Sequence, residues 1–439
     1  MHVAGKTSDL VLRITGGAPL AGDICVSGSK NAALPEMAAA LLSSEPVVLK
    51  NVPRVTDTQA MSEIIRAIGG SSDGEGTVTI DAGAAAAPRV PDEIGRRMRA
   101  TILLLGALIG RFHSARLPRP GGDDIGARRV EQHLRGLRQM GATIQESATE
   151  IVARADRLRG ARIVFDLPTV TGTENILLAA VRAEGRTEIF NAAREPHVQD
   201  LCKLLRKMGA RIEGIGTERL VVDGVQDLGG AEHTVVPDYL EAGTYAIAAV
   251  AAGGELRLEC SKPEDLNIVL LKLEQAGAHV EVGEGWFRVG RKPNAPIMPT
   301  DMSTWPYPGF PTDLQAQYMA LMTQASGETV ISEYVHENRF QHVTQLAKMG
   351  ADITVEGRLH AIVHAPCRLH GTQLAIPDIR SGAALVIAAM CAEGESVLSN
   401  AWHVARGYED MAGKLASVGA NIETSSIEAD QSAGSRTYE

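Results

Sequence analysis

The chain has 439 residues, 44% hydrophobic and only 4% aromatic, with 45 glycines; this length buries a large core and favours two or more domains of closely packed, small-residue helices. The formal net charge of −10 argues against general nucleic-acid binding, which needs a basic surface. The five cysteines (Cys25, Cys202, Cys260, Cys367, Cys391) form no CxxC pair and no His/Cys metal spacing, and read as reduced, buried thiols of a cytoplasmic protein.

In chain order, "MHVAGKTSDLVLRITGG" lacks the basic start and apolar run of a secretory leader. "NAALPEMAAALLSS" predicts a buried helix opening at Lys30 and Asn31, and "AIGGSS" ends an amphipathic one. "ATILLLGALIG" (100–110), opening at Arg99, is the most apolar stretch, yet too short to cross a bilayer. The glycine-rich "PGGDDIGARR" (120–129) sets two acids against two arginines, ahead of an amphipathic helix closed by "QMGATI". Buried helices follow at "ENILLAAVRAEG", "AGTYAIAAVAAGG", "LQAQYMALMTQASG" and "GAALVIAAMCAEG", with starts placed at Glu174–Asn175, Glu241, Asp313 and Arg380. "RIEGIGTERLVVDGV" (211–225) reads as two short strands around a turn. The polar tail 425–439 reads as disordered.

The helix-ending phrase recurs: "AIGGSS", "QMGATI", "KMGARI", "QAGAHV", "KMGADI", "SVGANI", with Gly69, Gly141, Gly209, Gly277, Gly350 and Gly419 about 70 residues apart. Each glycine stands where a helix C-cap needs a left-handed residue, and an alternating stretch follows. The pattern predicts an α/β (α+β) chain of six units, each strand, buried helix, strand, amphipathic helix, strand, strand, grouped as two domains of three. Lys and Arg recur at or near the helix starts: Lys30, Arg99, Arg128–Arg129, Arg194, Arg339, Arg380 and Arg406. A helix N-terminus already attracts anions, so cations there oppose the helix dipole and serve a ligand instead. Repeated across an acidic protein, they point to a cleft for a polyanion.

"SGSKNAALP" (27–35), "IGAR" (125–128), "NAAREP" (191–196), "PYPGFPTDLQAQ" (306–317), "ENRF" (337–340) and "RGYE" (406–409) together resemble the enolpyruvyl transferases. The likeness is greatest to those acting on UDP-N-acetylglucosamine in peptidoglycan precursor synthesis for the cell wall. It spans nearly the whole chain, and the characteristic phrases of the shikimate 3-phosphate branch are absent. It implies a two-domain inside-out barrel: residues 30–237 with a mobile loop at 119–128, then residues 1–29 with 238–424, the chain crossing near 28–30 and 237–241. It also implies two small-molecule substrates, phosphoenolpyruvate and a uridine nucleotide. No metal, organic cofactor, nucleic acid or membrane is implied.

The implied reaction adds an acceptor hydroxyl across the enol double bond and then eliminates phosphate, which needs an anion clamp, a base and an acid. By resemblance, Lys30, Arg128 and Arg406 hold phosphoenolpyruvate and its phosphate, Arg339 and Arg380 its carboxylate side, and Asp378 lies beside that pocket. Asp313, also a helix N-cap by position, takes the proton of the acceptor hydroxyl. Asn31 meets the acceptor sugar, and Arg99, His133, Thr169, Val170, Thr171 and Thr173 meet the uridine diphosphate part. Asp123 stands where many members carry cysteine and becomes the candidate acid, because Asp donates a proton where burial favours its neutral form. Asp124 receives no role.

Departures fall around the acceptor and the crossover: Tyr239 for Arg, Arg129 for Pro, Thr56 for Lys, His197 for an acid, Ala405 for Asp, and Gln132 beside His133. The main reading of the acceptor is the 3-hydroxyl of UDP-N-acetylglucosamine; the alternative is another uridine nucleotide such as UMP at its ribose 3-hydroxyl, as in nucleoside antibiotic biosynthesis. Arg129 could meet the terminal phosphate of a nucleotide without the sugar. A catalytically inert uridine-nucleotide sensor is the non-enzymatic alternative. Fosfomycin alkylates the family cysteine, which a carboxylate does not replace as a nucleophile, so incubation with it is expected to leave activity intact. Rapid stoichiometric inactivation, with a covalent adduct on another residue, contradicts this expectation.

Overall fold

The helix-ending glycines set the local architecture. In the computed structural model, which describes residues 10–123, 125–126, 130–292 and 294–426, all six adopt φ between 97° and 106°. The next residue's N–H then turns back to the carbonyl five positions earlier, as from Ala142 to Leu137, Ala210 to Leu205 and Ala351 to Leu346. That closure satisfies an otherwise unpaired helix carbonyl and launches the following strand.

Six sheets are present among the described residues. One pairs Arg162–Val164 in parallel with Arg186–Phe190 across the Val170–Ala180 helix, then adds Arg219–Asp223 and Arg211–Glu213 antiparallel. Gln373–Ala375 and Glu395–Ser399 likewise run parallel across the Ile379–Cys391 helix. Leu10–Thr15 then pairs antiparallel with both Glu395–Ser399 and Asn421–Ser426, bringing both ends of the described chain into one sheet.

The backbone divides into two compact units, one of residues 27–123 and 130–237, the other of residues 10–26, 125–126 and 238–426. Each has its own apolar core. In the second, the helices Tyr239–Ala252, Gln315–Met322 and Ile379–Cys391 pack on one another and are buried on every side. The abundance of small residues follows from this packing. A Cβ on Gly106 would lie 2.1 Å from the carbonyl oxygen of Asn175, so Leu103–Phe112 and Val170–Ala180 approach as closely as they do only because that side chain is missing. No described helix is long and apolar enough to cross a membrane.

Three expectations need correction. Cys25 and Cys260 are disulfide-bonded with Cα atoms 5.4 Å apart, while Cys202 and Cys367 are free and buried and Cys391 is free and half-buried. Register brings the pair together: Cys25 lies opposite Glu259 at the end of two parallel strands, a meeting that 235 residues of separation conceal. The reading of all five as reduced thiols therefore fails, and the cysteines no longer bear on the compartment. Two buried helices also start earlier than expected. Thr169 caps Gly172 N–H, so the helix begins at Val170 and encloses Glu174 and Asn175; Asp238 caps Leu240 and Glu241 N–H, so the next begins at Tyr239. Finally, pairing of Ser425 and Ser426 with Val11 and Leu10 carries strand structure two residues into the tail; residues 427–439 lie outside the described residues.

A Cβ added to Gly209 would meet nothing within 4 Å, so only backbone strain opposes a side chain there. Gly209→Ala is expected to lower the unfolding free energy by about 1–2 kcal/mol, read from the urea midpoint. An unchanged midpoint contradicts the capping role.

Candidate functional site

Asp313 sits in a short 3-10 turn, Thr312–Leu314, ahead of the Gln315–Met322 helix. Its Oδ1 accepts from Arg339 Nη2 at 2.6 Å. Its Oδ2 accepts from Arg380 Nη2 at 2.9 Å and Nε at 3.2 Å, the planar fork suited to a carboxylate. Both guanidinium groups are almost wholly buried, whereas 27% of the Asp313 side chain is accessible. Burial alone would raise the Asp313 carboxyl, but Arg380 and then Arg339 outweigh it and hold it well below the usual carboxylate range. Arg380 Nη1 is buried without a hydrogen-bond partner, so the cluster retains a donor for an incoming anion.

The surrounding side chains fix this geometry. Arg339 Nη1 donates to Thr312 Oγ1 at 2.8 Å, and that hydroxyl donates to Glu333 Oε2 at 2.9 Å. Arg380 lies over the Tyr408 ring, 5.2 Å from its centre. The Tyr408 hydroxyl meets Thr244 Oγ1 at 3.0 Å and Gln317 Nε2 at 3.1 Å, and Gln317 also donates to the Asp313 carbonyl. Asp378 caps the Ile379–Cys391 helix by accepting from Arg380 and Ser381 N–H, which aims Arg380 from the helix start. Sequence reasoning found Asp313, Arg339, Arg380 and Asp378 but assigned nothing to Thr244, Thr312, Gln317, Glu333 or Tyr408. Tyr408 and Gln317 stand inside the "RGYE" and "TDLQAQ" phrases, the one signal that could have marked them.

Arg406 is buried at the end of the short Trp402–Ala405 helix. Neither it nor Arg339 opens an amphipathic helix, as expected of them: those helices begin at Met411 and His342. Arg339 sits in irregular chain before its helix, paired with Asp313, and Arg406 caps the short helix that precedes the next one.

In the other unit Lys30 opens the Lys30–Ala40 helix and is buried. Its ammonium donates to Asp57 Oδ2 at 3.2 Å, a buried partner that sequence reasoning missed. Asn31 follows, half-buried. Thr169, Val170 and Thr171 are half-buried at the start of their helix, whereas Thr173 is fully buried and accepts from Ala193 N–H at 3.0 Å. Arg99 opens the 3-10 turn Arg99–Ile102, half-buried.

His133, on the Glu131–Gln139 helix, is 2% exposed. Asn175 accepts from Gly106 N–H through Oδ1, so its amide donates to Ile102 O at 3.0 Å and to His133 Nδ1 at 3.1 Å. That assigns Nδ1 as acceptor and leaves the proton on Nε2, which donates to Thr171 Oγ1 at 3.3 Å. Burial, reinforced by Arg99, pushes His133 down to about 3. It is a neutral residue that steadies Thr171, with no charge to offer a diphosphate. Asp123 is half-buried in irregular chain; Asp124, Arg128 and Arg129 lie outside the described residues.

Comparison with known proteins supplies the wider frame. The family described as EPSP synthase (3-phosphoshikimate 1-carboxyvinyltransferase) matches residues 14–415. Among similar solved structures, the enolpyruvyl transferase NikO from Streptomyces tendae superposes with a TM-score of 0.85 at 28% identity, over 96% of this chain and 100% of that one. Two structures of EPSP synthase from Acinetobacter baumannii superpose at 0.71 with 19% and 20% identity, each over 95% of this chain and 100% of theirs.

His133 yields a pH test. With its folded value depressed, its contribution is present above the ordinary histidine value and is lost as pH falls toward 3. Between pH 7 and pH 5 the wild type is expected to lose about 2 kcal/mol more stability than His133→Gln, read from paired urea titrations. Parallel losses contradict the neutral assignment.

Proposed function

The chain belongs to the EPSP synthase family of enolpyruvyl transferases, and from that membership we propose that it transfers the enolpyruvyl group of phosphoenolpyruvate to a uridine nucleotide other than UDP-N-acetylglucosamine. The favoured acceptor is the ribose 3-hydroxyl of UMP, as in nucleoside antibiotic biosynthesis. The Asp313–Arg339–Arg380 cluster carries the transfer reading: two buried cations, one with an unpartnered nitrogen, share a single carboxylate. The acceptor reading rests on the departures at Thr56, Arg129, His197 and Tyr239, and on a likeness to NikO higher in identity and superposition than that to the EPSP synthases. The phrases "SGSKNAALP" and "FPTDLQAQ" favour UDP-N-acetylglucosamine as the competing acceptor. We read the six sheets as six copies of one unit, three in each inside-out barrel.

The chemistry proceeds by partner exchange. The substrate's anionic groups enter beside Arg380 Nη1 and compete with Asp313 for both guanidinium groups. As those pairs loosen, the Asp313 carboxylate becomes a stronger base and accepts the proton of the acceptor hydroxyl. The hydroxyl oxygen bonds to C2 of phosphoenolpyruvate while C3 gains a proton from Asp123. Asp123, left as a carboxylate, takes a proton back from C3, and the double bond reforms as the C2–O bond to phosphate breaks. Lys30, held by Asp57 in the same exchangeable manner, and Arg128 and Arg406 take the phosphate charge.

Phosphate release with phosphoenolpyruvate plus UMP, UDP-N-acetylglucosamine or shikimate 3-phosphate tests the acceptor. Release with UMP alone is expected; release only with either of the others overturns the acceptor, and release with none favours the sensor. Arg380→Lys keeps the charge but loses the fork, and is expected to lower kcat/KM by at least about 10²-fold. A change below about threefold contradicts its place in the clamp.

A further inference from the structure

Apart from the reaction cluster, three acid or imidazole side chains converge inside the unit of residues 27–237. Glu36 comes from the Lys30–Ala40 helix, Asp200 from the Pro196–Lys207 helix and His233 from the Ala231–Thr234 strand. Glu36 is 0%, Asp200 4% and His233 5% exposed, and one ligand atom from each lies within 4.8 Å of the others. Their separation in sequence is why no metal-ligand spacing marks them.

The three side chains meet at separations longer than good hydrogen bonds. His233 Nε2 is 3.3 Å from Asp200 Oδ2 and 3.5 Å from Glu36 Oε1. Yet both Glu36 oxygens and both His233 ring nitrogens are buried without a hydrogen-bond partner. Asp200 Oδ2 is held from outside by the Val236 N–H at 2.7 Å. A carboxylate buried this deeply is costly as an anion, and here a second carboxylate lies beside it. Metal–ligand bonds of about 2.0–2.2 Å in tetrahedral geometry place adjacent ligand atoms about 3.3–3.6 Å apart, the separation seen around Nε2.

We propose that Glu36, Asp200 and His233 form a buried site for a divalent transition-metal ion of the zinc type. With an ion bound, two carboxylates and a neutral imidazole would carry two negative charges, which one divalent ion cancels. A nitrogen donor beside two oxygens suits Zn²⁺, Mn²⁺ or Fe²⁺ better than soft Cu⁺ or an all-oxygen Ca²⁺ site. A water molecule or a second carboxylate oxygen completes the coordination. The role is structural: the ion joins the helix that Lys30 opens to the strand that leads to Pro237.

The test uses the full chain, stripped with a chelator and titrated with Zn²⁺. About one equivalent is expected to survive gel filtration and to raise the melting temperature. Glu36→Gln and Asp200→Asn are each expected to weaken binding at least about 100-fold. Zinc-edge absorption of the wild type is expected to show one nitrogen and two or three oxygens at about 2.0 Å, a readout independent of whether the variants fold. Absence of binding, binding equal in well-folded variants, or a sulfur-containing shell overturns the proposal.

Discussion

A carboxylate shared by two buried arginines is the contact on which the candidate site depends. Burying a guanidinium costs several kcal/mol unless a counter-charge and hydrogen bonds offset it, and Arg339 and Arg380 find both in Asp313. That pairing ties together the Thr312–Leu314 turn, the chain before the His342–Lys348 helix and the start of the Ile379–Cys391 helix. It also keeps the cations extended and aimed while the carboxylate stays partly accessible. The groups that need Asp313 are therefore the groups an anionic substrate would claim, which links binding to the basicity of Asp313.

Rigid support would make the proposed exchange specific. The Tyr408 ring backs Arg380, and the Tyr408 hydroxyl is fixed by Thr244 and Gln317, so Arg380 has little freedom to follow a displaced carboxylate. Lys30 and Asp57 follow the same logic in the other unit: a buried cation meets a single buried acid. A chain of net charge −10 thus places the cations of the candidate site in low-dielectric surroundings, where each interaction counts for more than at the surface.

Much of the fold was legible because its devices are local. A glycine that ends a helix is needed for its own φ, and all six helix-ending glycines stand where the sequence placed them. Asp313 and Arg380 were legible for a related reason, each marking a helix start, whereas Asp378 was reached only through the resemblance. What stayed hidden depends on partners distant in sequence. Cys25 meets Cys260 only through strand register, Lys30 meets Asp57 only where two helix starts converge, and His133 is neutral because of burial and Arg99, with Asn175 donating to its Nδ1. Helix starts at Val170 and Tyr239 were missed because the capping side chains of Thr169 and Asp238 outrank the charges that follow them.

The exchange at Asp313 can be followed directly by titrating its carboxyl carbon by ¹³C NMR in protein labelled at aspartate, with Asp313→Asn for assignment. Without ligand the resonance should stay that of a carboxylate well below pH 3.9, the ordinary aspartate value; with phosphoenolpyruvate bound its midpoint should move upward. A midpoint that is ordinary without ligand, or unmoved when phosphoenolpyruvate binds, would contradict a shared carboxylate as the link between substrate binding and proton transfer.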